Sequence, residues 1–474
     1  MKRTLRRTII PLALIAIAST TSSTRVDAQE EKPSYTIIKN VNIFDGVHDR
    51  LTPGSVLIEN NLIKSVGADV QAPKGATIID GGGRTLMPGL IESHVHLNLQ
   101  HMIGGYDTVE LRDWQEIGAM AAGVARGLLM DGFTTIRDPG TLQAGMRRAI
   151  ERGDIIGPRI YNSGAVITQT SGHGDFRLRG QTTLESRYTF KGARLGFAHI
   201  IDGYDATLSA ARQNLANGAV FNKMMMGGGI FSSRDPLHTK QSTDDEIRAV
   251  VEASAAWDTY TTAHIFLPEH ARRAIGLGMK EILHIPFLDE KTAKLMVEKG
   301  IFYNPQLSQS TPEALEATFG PKESVNKSKA RVTQQAMAMT TKILQRVPEL
   351  LETTTFGVDI VTNTPANARR MRDHEMWFWA DRFGTFPTLK CMTFNGGRLA
   401  ALTGKLNPYP DGPLGVIKEG AYADILLVDG NPLEDITVLG GSELMFKAPG
   451  RKAGEITTMR LIMKDGKIYK NTLR

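Results

Sequence analysis

Eight short runs of apolar and β-branched residues recur between residues 88 and 362, and helical stretches separate them. The runs are LIESHVHL (90–97), FTTIRDPG (133–140), RIYNSGAVIT (159–168), AVFNKMMM (219–226), TYTTAHIF (259–266), EILHIP (281–286), IFYNPQL (301–307) and TTTFGVDIVT (353–362). Strands that alternate with helices favour an α/β fold with a parallel sheet. Eight such units predict a (β/α)8 barrel, in which functional side chains lie at the carboxyl ends of the strands.

Segments with strand patterns flank this region at both ends of the chain. They are YTIIKNVNIFDG (35–46), GSVLIENNLIKSVG (54–67) and ATIIDGGGRTL (76–86), then GVIKEGAYADILLVDG (415–430) and TMRLIMKDGKIYK (458–470). Each is bounded by Gly, Asn or Asp, and KDG has the composition of a hairpin turn. We expect a small β-sandwich module built from residues 29–87 and 406–474, with the barrel spanning residues 88–405.

Residues 1–28 have the layout of a secretory signal peptide. A basic start precedes the apolar run IIPLALIAIA, and Val26-Asp27-Ala28 ends the segment before Gln29. The apolar run is too short for a spanning helix. The sequence therefore predicts a protein that is periplasmic or secreted after signal removal, without a membrane span in the mature chain. Arg6-Arg7 leaves twin-arginine export open beside the general secretory route.

Charge and cysteine content exclude several classes of function. The formal net charge is +6, and the predicted signal peptide contains five basic residues and one acidic residue, so the mature chain is near +2. No basic tract remains in the rest of the sequence, which argues against a nucleic-acid partner. Cys391 is the single cysteine of the sequence, which excludes an intrachain disulfide and a thiolate metal cluster.

Six polar residues fall at the same end of the predicted barrel strands. A lone histidine in a strand is usually a hydrogen-bonded core residue, and a lone aspartate at a strand end is usually a helix cap. A lysine inside an apolar strand needs a partner or a modification, because a buried unpaired ammonium is costly. Their coincidence at one end indicates a metal site, since imidazole and oxygen ligands suit divalent ions. The six are His94, His96, Lys223, His264, His284 and Asp359.

The motif PGLIESHVH, with a lysine on strand four, histidines on strands five and six and an aspartate on strand eight, resembles the amidohydrolase superfamily. The resemblance extends over essentially the whole mature chain. Two departures are visible: Glu92-Ser93 stands where many relatives have an aspartate two residues before the first histidine, and Leu283-His284-Ile285 stands where many have Glu-His-Gly. Neither departure removes a ligand.

The resemblance implies two divalent ions, with zinc as the first expectation and manganese or cobalt as alternatives. In binuclear relatives the lysine carries a carbamate that bridges the metals, which corresponds here to Lys223. His94, His96, His264, His284 and Asp359 correspond to the remaining ligands. The implied reaction is metal-assisted hydrolysis, with Asp359 accepting a proton from the attacking water and delivering it to the leaving nitrogen.

Two loops and one residue pair narrow the resemblance to one branch of the superfamily. The loops ITQTSGHGD (167–175) and MGGGIFSSRDPL (226–237), with His374-Glu375, are similar to prolidase-like dipeptidases and to relatives that hydrolyse ochratoxin. The implied substrate is a small-molecule amide or peptide, either a dipeptide or an N-acyl amino acid. Candidates for contacting its carboxylate are His173, Arg234 and His238, each of which also has an ordinary interpretation as a loop residue.

Two other functions fit the same pattern. A cyclic-amide hydrolase, lactonase or deaminase shares the fold, although mononuclear deaminases do not need the strand-four lysine, so Lys223 favours a binuclear amide hydrolase. A catalytically silent binding homologue usually lacks one or more ligands, whereas all six are present in this sequence. The resemblance is also compatible with a homo-oligomer, but the sequence alone identifies no interface.

Overall fold

The computed structural model describes residues 33–100, 111–178, 180–181, 183–232, 234–308, 311–320, 322–361 and 363–473. For residue 317 the description covers the backbone alone. Residues Ser34–Arg474 pack as a single unit. The predicted signal peptide, residues 1–28, lies outside the described residues. In the part of the chain that is described, no helix is long and apolar enough to cross a membrane.

Both ends of the chain contribute strands to one seven-stranded sheet. Its strands are β1 (Tyr35–Ile43), β2 (Thr52–Glu59), β3 (Leu62–Gly67), β4 (Thr77–Pro88), β14 (Ile425–Val428), β15 (Met459–Lys464) and β16 (Lys467–Asn471), in the order β16-β15-β14-β4-β1-β2-β3. β1 and β4 are parallel, and the other neighbours are antiparallel. The structure groups these strands in one sheet, so a two-sheet sandwich stays a prediction.

The predicted hairpin turn at KDG is confirmed. Lys464 of β15 pairs with Lys467 of β16, which leaves Asp465 and Gly466 as a two-residue turn. Both turn residues have positive φ, 57° and 70°. This conformation matches the right-handed twist of the paired strands, and Asp-Gly adopts it readily.

The central region contains two parallel sheets. The first has the order β5-β6-β7 and consists of β5 (Leu90–Glu92), β6 (Phe133–Asp138) and β7 (Arg159–Asn162). The second has the order β13-β12-β11-β10-β8-β9 and consists of β8 (Val166–Thr168), β9 (Ala198–Ile200), β10 (Asn222–Met225), β11 (Thr261–Ile265), β12 (Glu281–His284) and β13 (Phe302–Asn304). The predicted α/β fold with parallel strands is therefore present.

Helices follow the strands in alternation. They are α1 (Trp114–Met130), α2 (Ala144–Glu151), α3 (Ser186–Thr189), α4 (Lys191–Arg194), α5 (Tyr204–Ala216), α6 (Asp244–Ala255), α7 (Pro268–Gly276), α8 (Glu290–Lys299), α9 (Pro312–Phe319), α10 (Val325–Arg346), α11 (Pro365–Phe383), α12 (Thr385–Met392) and α13 (Phe394–Ala401). Local sequence explains their starts: Thr243 and Glu246 form a capping box on α6, and Asp289 caps α8. Gly300 ends α8 in the left-handed conformation.

Three of the predicted strands differ from those observed. The described part of run 353–362, residues 353–361, forms no regular strand; within it Thr354 makes an isolated bridge to Tyr303, and Asp359 has a left-handed backbone conformation. Run 159–168 splits into β7 and β8 at Gly164, whose φ is 73°. The strand in run 90–97 ends at Glu92, so the two histidines follow it. β9 was not among the predicted strands.

The largest hydrophobic core packs the helices against the parallel strands. Ile136 of β6, Ile265 of β11 and Leu128 of α1 belong to it and are almost fully buried. Burying aliphatic side chains on both faces is characteristic of parallel strands covered by helices. This packing fixes the strand ends, and the predicted site residues project from those ends.

Candidate metal centre

The six predicted metal ligands converge at the carboxyl ends of the parallel strands. They line one cavity. His94 and His96 follow β5, Lys223 lies within β10 and His264 lies within β11. His284 ends β12, and Asp359 lies in segment 355–361.

Asp359 lies at the centre of the histidine group. Its Oδ1 is 3.2 Å from His96 Nε2 and 3.5 Å from His94 Nε2, and its Oδ2 is 3.9 Å from His284 Nδ1. Ligand atoms of His94, His96 and Asp359 all lie within 4.8 Å of one another. Imidazole nitrogens and a carboxylate oxygen at such spacing are suitable ligands for a divalent ion.

His264 and His284 extend the group toward Lys223. The ring centroids of His264 and His284 are 4.5 Å apart, and those of His94 and His284 are 5.1 Å apart. Lys223 is 1% exposed, and among the described residues its ammonium has no hydrogen bond or ion pair. A lysine buried without such a partner is unusual, because an unpaired ammonium is costly to bury.

Burial lowers the pKa of Lys223 to about 7, although the charges of Asp359 and Glu281 oppose the shift. Burial alone would raise the pKa of Asp359, but His94 and His96 hold it well below its usual range. Asp359 is therefore an anion at neutral pH. Burial also opposes protonation of His96, but Asp138 and Asp359 together raise the pKa of this histidine to about 10. The centre thus contains carboxylates that attract positive charge.

Polar groups next to the histidines fix their ring orientations. His96 Nδ1 is 3.1 Å from Gly140 O and 3.7 Å from Asp138 Oδ1. Gln306 contacts two rings: its Oε1 accepts from His284 Nδ1 at 2.6 Å, and its Nε2 is 3.3 Å from His94 Nδ1. Such neighbours set the tautomer and direction of ligating histidines. Sequence reasoning missed Asp138 and Gln306, although both follow predicted barrel strands, where functional side chains are expected.

Backbone conformation also directs the ligands into the cavity. Asp359 has φ 50°, His284 has φ 72° and Ile285 has φ 38°. Positive φ is uncommon for residues other than glycine, and it costs free energy that surrounding contacts must offset. Asp359 N donates to His94 O at 2.8 Å, and Ile285 N donates to Ile265 O at 2.9 Å. The strand ends thus hold both residues in these turns.

Glu92, the residue that departs from the family pattern, holds two segments of the site together. Its Oε1 accepts hydrogen bonds from Val358 N at 2.9 Å and from His94 N at 3.3 Å. Burial raises its pKa to about 8, although Arg372 opposes the shift. Glu92 therefore positions the backbone of His94 beside that of the segment carrying Asp359.

The predicted pair His374-Glu375 lies on α11, outside the cavity lining. Glu375 accepts hydrogen bonds from Leu307 N at 2.8 Å and Ser308 N at 2.6 Å. These residues directly follow Gln306, which contacts the histidines. His374 Nδ1 instead lies 3.1 Å from the carbonyl oxygen of Ser442. Glu375 thus acts on the site through the loop that it holds.

His173 is the predicted substrate contact that lines the cavity. Its ring stacks on that of His264 with centroids 4.2 Å apart and an interplanar angle of 17°. Its Nδ1 is 2.9 Å from Asp235 Oδ2, and its backbone N donates to Gln241 Oε1 at 2.8 Å. A side chain at Gly229 would collide with this ring, at 2.2 Å from its Cε1. The glycine run therefore lets the loop after β10 close over His173.

Arg234 and His238 lie outside the cavity lining. His238 is exposed, whereas Arg234 is half-buried and its Nη2 is buried without a hydrogen bond. The geometry gives these two residues no support as contacts for a substrate carboxylate.

Lys329 of α10 ties the helix to the loop after β10. Its Nζ donates to the carbonyl oxygens of Ser232 at 2.6 Å, Asp235 at 2.7 Å and Gly229 at 2.9 Å. It also lies 3.5 Å from Asp235 Oδ1, on the carboxylate whose other oxygen contacts His173. Burial lowers the pKa of Lys329, and Asp235 opposes that shift. No spacing in the sequence relates Lys329 to this loop, so sequence reasoning missed it.

Parallel strands ending in a convergent set of histidines, a lysine and an aspartate define a class of metal-binding α/β hydrolases. Comparison with known proteins agrees, and the chain belongs to the amidohydrolase family, which matches residues 85–446. It is 30% identical over 459 residues to the ochratoxinase of Aspergillus niger, covering 90% of this chain and 89% of that protein.

Solved structures give the same relationship. A prolidase in complex with N-methylphosphonate-L-proline superposes with a TM-score of 0.79 and 29% identity, covering 93% of this chain and all of that one, 100%. The A. niger ochratoxinase structure superposes with a TM-score of 0.77 and 26% identity, covering 93% and 96% of the two chains. The resemblance to the branch containing prolidases and ochratoxinase is confirmed, and it supports an enzyme that hydrolyses amides.

Proposed function

We propose that this protein is a binuclear metal-dependent hydrolase that cleaves the amide bond of a dipeptide or an N-acyl amino acid, with ochratoxin-like amides included. The observation that carries the proposal is the convergence of four histidines and Asp359 around Lys223, a buried lysine to which the described residues offer no hydrogen bond. The printed names of the relatives, ochratoxinase and prolidase, support amide substrates of this kind.

The residues present fit two divalent ions, for which zinc is the first expectation. His94, His96, His264, His284 and Asp359 would hold them, together with a carbamate on Lys223. Reaction of the neutral Lys223 amine with carbon dioxide would form a nitrogen–carbon bond and release one proton to solvent, giving a carbamate anion with two ligand oxygens. When bound, the ions activate a water molecule and polarise the scissile carbonyl.

Asp359 is the residue that we assign to proton transfer. Its carboxylate is ionised, and it lies at the centre of the ligand group. It accepts a proton from the attacking water as the oxygen–carbon bond forms, and it returns that proton to the leaving nitrogen as the carbon–nitrogen bond breaks. The products are a carboxylic acid and an amine, and no other reactant is consumed. Fixed groups in a buried site need little reorganisation for this transfer.

His173 is the residue that we assign to the substrate carboxylate. It lines the cavity beside His264, and Asp235 engages its Nδ1, which leaves Nε2 for a ligand. A fixed ring of this kind holds one end of the substrate and thereby orients the amide bond above the metal centre.

We infer further that the two parallel sheets belong to one (β/α)8 barrel. Backbone hydrogen bonds link Thr355 N to Tyr303 O and Ser93 N to Phe356 O, each at 2.8–2.9 Å. Arg137 of β6 also contacts Glu281 of β12 across the interior. These contacts support segment 355–361 as the eighth strand position of the barrel, irregular in conformation, between β13 and the end of β5.

We also propose export through residues 1–28, from their sequence alone.

Metal content and hydrolysis test the proposal together. Mature protein purified without chelators or added metal should contain about two divalent ions per chain by elemental analysis. It should then hydrolyse members of a panel of N-acyl amino acids and Xaa-Pro dipeptides. One ion per chain with deaminase or cyclic-amide activity would favour the mononuclear alternative. No bound metal after supply of zinc and bicarbonate would contradict the proposal.

Asp359→Asn tests the proton transfer separately. We expect a fall in kcat of roughly 10²- to 10⁴-fold, the usual contribution of a general acid–base group, while substrate still binds. Single-turnover kinetics and equilibrium binding separate the two effects. An unchanged kcat would remove Asp359 from proton transfer.

A further inference from the structure

The outer wall of the cavity is apolar and faces the metal centre. We call this wall the cap: it consists of α9, α10 and three residues from the loops after β8 and β10. The loop residues are Phe176, Ile230 and Phe231, and the helices contribute Ala314, Leu315, Thr318, Phe319, Ala330, Thr333 and Met337. The cap thus brings together residues from three separate parts of the chain.

The polar side chains of the cap are two hydroxyl groups, those of Thr318 and Thr333. Thr333 Oγ1 donates to Ala330 O at 2.9 Å and to Lys329 O at 3.1 Å, so its hydroxyl is used within its own helix. Among the residues that the structure describes, no Lys, Arg, Asp or Glu side chain belongs to the cap lining. The charged side chains of the cavity, Lys223 and Asp359, lie on the opposite side, in the metal centre. A charged substituent placed against the cap would lose hydration without gaining a partner.

Two aromatic rings give the cap a shape that favours a flat group. Phe231 and Phe319 stack with centroids 5.5 Å apart and an interplanar angle of 27°, joining the loop after β10 to α9. Both rings are partly exposed and line the cavity. Ala314 and Ala330 are small residues of the same wall, so they leave space beside the rings. Partly exposed rings gain contact area and stacking when another ring covers them.

The cap is also held in place before any ligand binds. Lys329, on α10, donates hydrogen bonds from Nζ to three backbone carbonyl oxygens of the loop that carries Ile230 and Phe231. Lys327 fastens α10 to the end of α9, because its Nζ donates to Gly320 O at 2.6 Å. A preformed wall loses less conformational freedom on binding, which increases its selectivity.

We propose that the cap is a specificity subsite for one uncharged, ring-bearing apolar substituent of the scissile amide. The inference rests on the proposed function and narrows its substrate class. It selects N-aroyl amino acids, or N-acyl derivatives of aromatic amino acids, over small and charged analogues.

Two substrate series test the proposal with zinc-loaded protein. The first keeps glycine as the leaving group and varies the acyl group through acetyl, hexanoyl, benzoyl, 2-naphthoyl and 4-carboxybenzoyl. The second keeps acetyl and varies the amino acid through glycine, leucine, phenylalanine and glutamate. We expect kcat/KM to rise at least about tenfold with the aromatic group in one series and to fall for its charged member. Flat profiles in both series, or equal rates for charged members, would overturn the proposal.

Phe319→Ala and Phe319→Leu connect the preference to the cap. Both variants should lose most of the aromatic preference, measured as the ratio of kcat/KM for the aromatic substrate to kcat/KM for N-acetylglycine, because the ring that the aromatic group contacts is removed. Trp257→Ala, an exposed aromatic substitution outside the cavity, is the matched control. An aromatic preference that survives both variants would place the subsite elsewhere and overturn the assignment.

A binding measurement separates this inference from the proposed function. If neither series is hydrolysed by metal-loaded protein, the proposed function fails. In that case, calorimetric titration with N-(2-naphthoyl)glycine still measures whether the cap binds an aromatic group. Binding to the wild type that weakens about tenfold or more in Phe319→Leu supports the apolar subsite. Equal binding by both proteins, or no binding, contradicts it.

Discussion

The metal centre and the cap are opposite walls of one cavity, and they differ in almost every physical property. The metal centre is polar and buried, and its side chains project from the ends of parallel strands whose register fixes their spacing. The cap is apolar, and most of it comes from two helices inserted after β13. Four histidines, Lys223 and Asp359 form the first wall, whereas alkyl and phenyl groups form the second.

The difference separates chemistry from selectivity. A reaction centre needs ligand atoms placed to within a fraction of an ångström, which strands and buried hydrogen bonds provide. A wall that selects an apolar group needs shape and freedom from charge, which helices packed on a loop provide. Changes in the metal centre should therefore affect all substrates equally, whereas changes in the cap should affect some substrates and spare others.

Lys223→Ala should give the largest effect. It removes the ligand that we expect to bridge the ions, so metal content should fall below two per chain and turnover of every substrate should fall below detection. Elemental analysis and hydrolysis assays measure the two results. Lys280→Ala, at an exposed lysine just before β12, is the control and should retain both properties. Near-normal activity in Lys223→Ala would exclude the carbamate.

Gln306→Leu should give the next largest effect. The variant keeps the side-chain size and removes the amide that contacts His284 Nδ1 and His94 Nδ1. Loss of such an orienting group typically lowers metal affinity or activity about 10- to 100-fold. Metal titration in a competing chelator measures this change, and the loss should be the same for small and aromatic substrates. A substrate-dependent loss would assign Gln306 to specificity instead.

Lys329→Met should lower activity less than Gln306→Leu, and it should alter both walls of the cavity, the one beside the metal centre and the cap. The substitution keeps the alkyl stem and removes three hydrogen bonds to the loop after β10, whereas the contact between Asp235 and His173 Nδ1 is retained. We expect kcat/KM to fall about tenfold through KM, with metal content unchanged, because the three hydrogen bonds act on binding only through the order of the loop. A tenfold fall corresponds to about 1.4 kcal/mol.

The control for Lys329→Met is Lys342→Met, at an exposed position of the same helix. Thermal unfolding of both variants distinguishes a local loosening of the loop from a general loss of stability. An unchanged KM in Lys329→Met would show that the hydrogen bonds of Lys329 to the loop after β10 do not position His173 or the cap.

Arg234→Gln should give the smallest effect. Arg234 lies outside the cavity lining, so KM for substrates bearing a carboxylate should change by less than about twofold, which corresponds to less than about 0.4 kcal/mol. Steady-state kinetics on an N-acyl amino acid and its methyl ester provide the comparison. A tenfold rise in KM for the acid alone would return Arg234 to the role of carboxylate contact that its sequence position suggested.

The sequence by itself determined the α/β class, the β-rich chain ends and the six polar residues that meet in the cavity. It could do so because parallel strands place their carboxyl ends together, so polar residues that end successive apolar runs must meet. The same rule covers Asp138, which ends β6, and Gln306, which follows β13; both contact the histidines. His-x-His, a lysine in an apolar strand and an isolated aspartate are local signals, readable without any knowledge of distant contacts.

Only the tertiary structure showed which residues form the cap and that Lys329 binds the loop after β10. It also showed that Arg234 and His238 lie outside the cavity lining. These features depend on how two helices and a loop approach each other across about 100 residues of sequence, as the separation of Lys329 from Gly229 illustrates. Apolar residues in a helix have the same pattern whether they face a core or a cavity. The irregular eighth run also needed the structure, because Asp359 has positive φ and its backbone N donates to His94 O, a distant contact that the local sequence does not show.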